Sequence, residues 1–166
     1  MAGTPHPNGG GFVAESAQVA GSAYVGPNAQ VLGASRVEGN ARIEDYAVVR
    51  DATVRDNAVV SGHALVSDGA VGQDFAKVRD CGRVMRRAVV KDYAKVLEHG
   101  TQDGKACGGY AVIKGVGWSS GNVSGTAMID GSYRKHNDVD RGRWFTWSWG
   151  KGQNAGELDE EFRGLH

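Results

Sequence analysis

Read in sixes from Val13, the chain runs VAESAQ, VAGSAY, VGPNAQ, VLGASR, VEGNAR and IEDYAV, ending at Val48. A one-residue deletion follows in VRDAT (Val49–Thr53). The reading then resumes as VRDNAV, VSGHAL, VSDGAV, GQDFAK, VRDCGR, VMRRAV and VKDYAK, from Val54 to Lys95. An aliphatic residue opens nearly every unit, and a small residue, usually Ala, sits four places later. Self-similarity at a short fixed period marks a repeat architecture whose units bury their faces only by stacking on neighbours.

No helix fits the pattern, because helical faces recur at about 3.6 residues and Val is stiff and β-preferring. The inward residues are the opener and the residue two before it. Ala23 and Val25 point in while Tyr24 and Gly26 point out, which is strand alternation. The remaining pair, such as Gly39-Asn40 or Asp68-Gly69, is turn chemistry, since Gly, Asn and Asp tolerate positive φ. Each unit is thus one short strand and one corner. Three corners close a triangle, giving a coil of about 18 residues. The competing arrangement is an ordinary β-sandwich, which does not require units to keep phase.

The pattern resembles the hexapeptide-repeat left-handed parallel β-helix. Its handedness is implied by that resemblance alone, since parallel crossovers are generally right-handed. The expected fold is all-β, a three-sided solenoid of six to seven coils over residues 12–134. Five-residue phasing recurs at Gln102–Ala106, SSGN (Ser119–Asn122) is irregular, and VSGTAM and IDGSYR close the series at Arg134.

The flanks differ. Residues 1–11, MAGTPHPNGGG, read as a flexible lead or an artificial start on an excised domain, without the apolar stretch of a leader peptide. Residues 135–166 lose the six-residue phase and hold three of the four Trp residues, Trp144, Trp147 and Trp149. An open solenoid end exposes core and unpaired strand edges, so this tail is expected to cap the coil or link onward. The other reading is an aromatic ligand platform of the kind that contacts sugars. Val48, Val59, Leu65, Val71 and Val89 read as an apolar outer strip that calls for a partner, either the tail or another subunit.

The chain has 166 residues, enough for one domain with a real core. Lys+Arg and Asp+Glu balance at 19 each, which argues against a nucleic-acid scaffold. No apolar run reaches the length of a membrane span. Two cysteines make no disulfide framework. Cys107 opens a unit and belongs in the core, whereas Cys81 belongs at a corner.

Counting corners in threes places Tyr46, His63, Cys81 and His99 in one column on successive coils. His63, Cys81 and His99 would form a ladder of nitrogen and sulfur donors of the types that suit zinc or copper. Side chains that point the same way do not converge tetrahedrally, so the plainer reading is an exposed corner column. The turn residues Asp45, Asp51, Asp56, Asp68, Asp74, Asp80 and Asp92 are read as turn formers, not calcium ligands, because six-residue spacing spreads them over three corners.

Resemblance to hexapeptide-repeat proteins brings two enzyme readings. Zinc carbonic anhydrases of that fold use three His from two subunits. Here His63 and His99 are two coils apart, and the remaining His6, His136 and His166 lie elsewhere. Acyltransferases of that fold use acetyl-CoA or acyl-CoA and carry a catalytic His on an extruded loop. His63 lies in a regular unit. His99, beside the Gly100–Lys105 turn, is the better candidate for a general base.

A nearer resemblance rests on VAGSAYVGPNAQVLG, ARIEDYAVV, NAVVSGHALV and VSGTAMIDGSY, followed by WFTWSWG and the junction WSWGKGQNAGELDEEFRGL. These residues are similar to β-helical modules of large secreted bacterial proteins of the avirulence-protein type. The resemblance implies an extracellular, non-catalytic structural or binding module without a cofactor. Its partners would be neighbouring domains of a longer polypeptide, with a polysaccharide or another protein as ligand, and neither nucleic acid nor membrane. The closing GELDEEFRGLH reads as the lead-in to a further segment. The alternative function is the acyltransferase.

Overall fold

A computed structural model of the chain describes residues 2–130, 134–135, 139 and 144–145. Among them, every regular element is a strand of two or three residues. The strands assemble into sheets of nine, eight and six members, and the chain visits the three in rotation. Pairing is parallel throughout, apart from the first strand. The result is a three-sided parallel β-solenoid of about seven turns.

Register shows how the coil absorbs its trimmed units. Val60 pairs with Val78, an offset of 18. Val37 pairs with Val54, an offset of 17 across the short unit at Val49–Thr53. Val90 pairs with Cys107 at 17, past Gln102–Ala106, and Ile113 with Ile129 at 16, past Ser119–Asn122. Shorter corners therefore leave the stacked columns in line.

The interior consists of the residues that alternation puts there. Ala23, Val25, Val31, Val37, Ala41, Ile43, Ala47, Val49 and Val54 are fully buried, and the columns continue to Ile129. Each buried Val or Ile contributes roughly 1.5–3 kcal/mol relative to exposure. The small Ala at the second inward site lets three strands approach around a narrow axis.

The corners explain the acidic residues. All seven turn aspartates adopt positive φ, between 48° at Asp51 and 63° at Asp56. Asp tolerates this region because its short polar side chain bonds locally. Here the carboxylates also bond along the coil axis. Asp56 Oδ2 accepts from the Asp74 N–H (3.3 Å), Asp74 Oδ2 from the Asp92 N–H (3.1 Å) and Asp92 Oδ2 from the Gly109 N–H (2.9 Å). Each turn is thereby fastened to the next by a charge-assisted bond.

Three expectations change. Within residues 1–11, read from sequence as a flexible lead, residues 3–11 pack against the first coil. Gly3–Pro5 pairs antiparallel with Phe12–Ala14, closing one exposed sheet edge. The next stretch closes a second, where the Val25 N–H donates to Asn8 O, the Gly11 N–H donates to Val25 O, and Asn8 Nδ2 donates to Ala23 O. Glycine is required at this close approach. A Cβ on Gly11 would lie 2.2 Å from Gly26 O, and one on Gly9 2.2 Å from Val25 O.

The solenoid also continues past Arg134. Arg134–Lys135 pairs with Trp118–Ser119, Val139 bridges Val123, and Trp144–Phe145 pairs with Met128–Ile129. These offsets are all 16, so the six-residue phase disappears from the sequence while the coil persists. Val139 is buried in the core.

Finally, the apolar outer residues form no single strip. Val48 and Leu65 are neighbours on the nine-stranded face, Val59 lies on the eight-stranded face, and Val71 and Val89 pair on the six-stranded face. All five are half-buried.

Candidate functional site

The corner between the six-stranded and eight-stranded faces carries the most distinctive surface of the described chain. In three successive coils the residue after the positive-φ position is aromatic: Phe75 after Asp74, Tyr93 after Asp92 and Tyr110 after Gly109. Equivalent backbone bonds fix all three. Their N–H groups donate to Asp92 O (2.9 Å), Gly109 O (2.9 Å) and Gly125 O (2.7 Å) respectively.

Identical placement on stacked coils aligns the rings. Phase 75→93→110 gives parallel neighbours, with centroids 5.1 Å apart and interplanar angles of 4° and 5°. Aromatic pairs of this kind are favourable by roughly 0.5–1.5 kcal/mol each beyond area burial. The ladder still faces solvent, with Phe75 and Tyr93 each 48% exposed and Tyr110 64%.

Two residues further along, Lys77 and Lys95 point outward from the paired strands Lys77–Val78 and Lys95–Val96. Both are exposed, and neither has a carboxylate partner among the described residues. Oδ2 of each of the nearby Asp74 and Asp92 carboxylates accepts a backbone N–H, and neither carboxylate pairs with these lysines. Phe75, Lys77, Tyr93, Lys95 and Tyr110 together line an open concavity of about 430 Å³.

The column expected from sequence is present at another corner, between the eight-stranded and nine-stranded faces. The His63, Cys81 and His99 N–H groups donate to Asp80 O, Glu98 O and Gly115 O, at 2.5, 2.7 and 2.8 Å. The His63 ring stacks on Tyr46, with centroids 5.1 Å apart and an interplanar angle of 6°. Both histidines are exposed, and Cys81 is half-buried. His63 and His99 stand two coils apart with Cys81 between them, and among the described residues no three His, Cys, Asp or Glu side chains form a group able to hold a metal.

Of the expected aromatic platform, Trp144 is placed through its backbone, in register with Met128. Trp147 and Trp149 lie outside the described residues. Both cysteines are free, and Cys107 is in the core as expected. Burial pushes its thiol pKa up to about 12.

Sequence reading missed the ladder of Phe75, Tyr93 and Tyr110. The signal was available. Counting corners in threes, as for the histidine column, with one residue subtracted for the trimmed unit Gln102–Ala106, brings the three aromatics into line. The chain matches no protein-family model and no curated protein sequence.

Proposed function

We propose that this chain is a non-catalytic binding module of a larger secreted bacterial protein, a rigid solenoid that presents an aromatic ladder to an extended glycan. One observation carries this reading: three stacked aromatic rings stand exposed on a surface whose other corners bear mostly small or polar residues. The exposed ring edges offer apolar contact to sugar C–H groups, and the two tyrosines add hydroxyls that both donate and accept. A solenoid suits a linear ligand because its surface columns repeat at about 4.8 Å along the axis. The avirulence-type resemblance supports the extracellular setting.

The test is affinity electrophoresis through gels that contain soluble polysaccharides. Tyr93→Ala with Tyr110→Ala is expected to abolish retardation while circular dichroism stays that of the parent. A parallel variant, Trp144→Ala with Trp147→Ala and Trp149→Ala, assigns any contribution of the tail. Retardation that survives the tyrosine changes would place the ligand elsewhere.

A further inference from the structure

We propose that the groove of Phe75, Tyr93 and Tyr110 selects a polyanionic glycan, one rich in uronate carboxylates, and that Lys77 and Lys95 are the selecting residues. The inference rests on reading the ladder as a glycan face and adds the charge of the ligand.

Stacking decides what the rings present. Tyr93 has Phe75 on one side and Tyr110 on the other, at 5.1 Å each and nearly parallel. Its two faces are largely taken up by its neighbours. What the ladder offers along its length is mainly ring edges and two hydroxyls. Aromatic edges carry the positive part of the ring quadrupole. They complement electron-rich oxygens.

The lysine pair adds charge without an ion-pair partner among the described residues. Lys77 and Lys95 are adjacent in register, on strands about 4.8 Å apart. Two like charges held so close repel each other unless a counter-charge joins them. The carboxylates nearest in sequence, Asp74 and Asp80 beside Lys77 and Asp92 and Glu98 beside Lys95, each accept a backbone N–H, from Asp92, Glu98, Gly109 and Gly115 in turn, and none forms an ion pair with either lysine. The groove therefore brings together two ammonium groups, positive ring edges and hydroxyl donors. A linear chain with regularly spaced carboxylates and hydroxyls satisfies them together.

Other polymers fit less well. A peptide added as a strand needs a free sheet edge. These strands are interior to the eight-stranded sheet, and the Lys77 and Lys95 N–H groups already donate to Ala94 O and Ala111 O. Single-stranded nucleic acid needs ring faces for base stacking, and the middle ring has little to give.

The experiment compares three probes by affinity electrophoresis and calorimetry: polygalacturonate, its fully methyl-esterified form and a neutral galactan. The proteins are the parent chain, Lys77→Ala/Lys95→Ala, Tyr93→Ala and the remote control Arg36→Ala, from the exposed outer side of the six-stranded face. Polygalacturonate should bind the parent at least about tenfold more tightly than the ester, the equivalent of ~1.4 kcal/mol. The lysine double variant should lose that preference while Arg36→Ala keeps it, and added salt should weaken binding. Equal binding of acid and ester would overturn the charge selection and leave the glycan reading standing. Equal weakening by Arg36→Ala would overturn the assignment to this groove. Retardation by none of the three probes would overturn the glycan reading and this inference with it.

Discussion

Tyr93 stacks on Phe75 with its ring tilted by only 4°, one coil further along the solenoid and 5.1 Å away. The pair is parallel because the backbone beneath it is. Both residues follow an aspartate at φ 57°, and both donate from the backbone to the same position of the next coil.

Tyr93 makes two such contacts, whereas Tyr110 makes one with an aromatic neighbour. Tyr93→Ala is therefore expected to cost about twice as much stability as Tyr110→Ala, roughly 1–3 against 0.5–1.5 kcal/mol. Urea denaturation of the two variants checks this. Equal losses would mean that the stack is a by-product of register and adds nothing to stability.

The neighbouring corner supplies a paired test of backbone strain. Arg86 and Arg87 both adopt positive φ, 53° and 62°, where the preceding coil has Asp68 and Gly69. For a side chain like Arg this conformation costs about 1–2 kcal/mol per residue. Arg87→Asn keeps a Cβ but suits the region, so it should raise stability by roughly 0.5–1 kcal/mol. At Arg86 the balance reverses. Its Nη1 lies 3.0 Å from Oδ2 of Asp103, which is buried. Arg86→Asn leaves that carboxylate without its guanidinium and should lower stability by roughly 1–3 kcal/mol. Thermal melts of both variants would show opposite shifts. A fall for Arg87→Asn would refute the strain argument, and a rise for Arg86→Asn would refute the ion-pair argument.

These particulars also show what a sequence can disclose. The solenoid was legible because Val and Ala recur wherever three strands must bury against one another. The seven turn aspartates were legible because few other residues accept positive φ. The N-terminal cover was not, since MAGTPHPNGGG has no period and its Gly9 and Gly11 matter only through contacts with Val25 and Gly26. The last turns were hidden by the change of offset from 18 to 16, which erases phase without changing the fold. The ladder of Phe75, Tyr93 and Tyr110 was overlooked for a related reason. Its rungs fall out of strict spacing once the corner at Gln102–Ala106 is trimmed.

Cys107 yields a prediction in pH. Its folded pKa is pushed up from 9.0 to about 12 by burial. Between those values the unfolded chain loses the proton and the folded chain keeps it. Stability from this group is thus intact below pH 9 and falls as pH rises, by about 1.4 kcal/mol per unit at most. Cys107→Val removes the effect. The difference in unfolding free energy between parent and variant should shift toward the variant from pH 8 to pH 10, by about 1.4 kcal/mol. A difference that is flat with pH would show that the thiol ionises in place. Under native conditions near neutral pH, a thiol reagent should modify Cys81 first and reach Cys107 only on unfolding.

Gln102 occupies an inward site that holds Val84 in the coil before, and it is fully buried. It follows from the trimmed corner. Gln102 Nε2 donates to Lys105 O and to Gly121 O, both at 3.0 Å, while Oε1 has no partner. Each carbonyl keeps a second donor, the Val89 N–H for Lys105 O and the Ser119 hydroxyl for Gly121 O. Removing the amide therefore strands neither carbonyl and relieves the orphaned Oε1, whose burial costs roughly 1–3 kcal/mol. Gln102→Met, of similar length and unbranched, is expected to leave stability within about 1 kcal/mol of the parent. Gln102→Ala removes the same two hydrogen bonds but also opens a cavity, and should cost about 2–5 kcal/mol. Denaturant titrations of the two variants separate the contributions. A large loss in both would mean that the amide's hydrogen bonds hold the shortened corner, whereas a loss confined to alanine would mean that the site is held by volume.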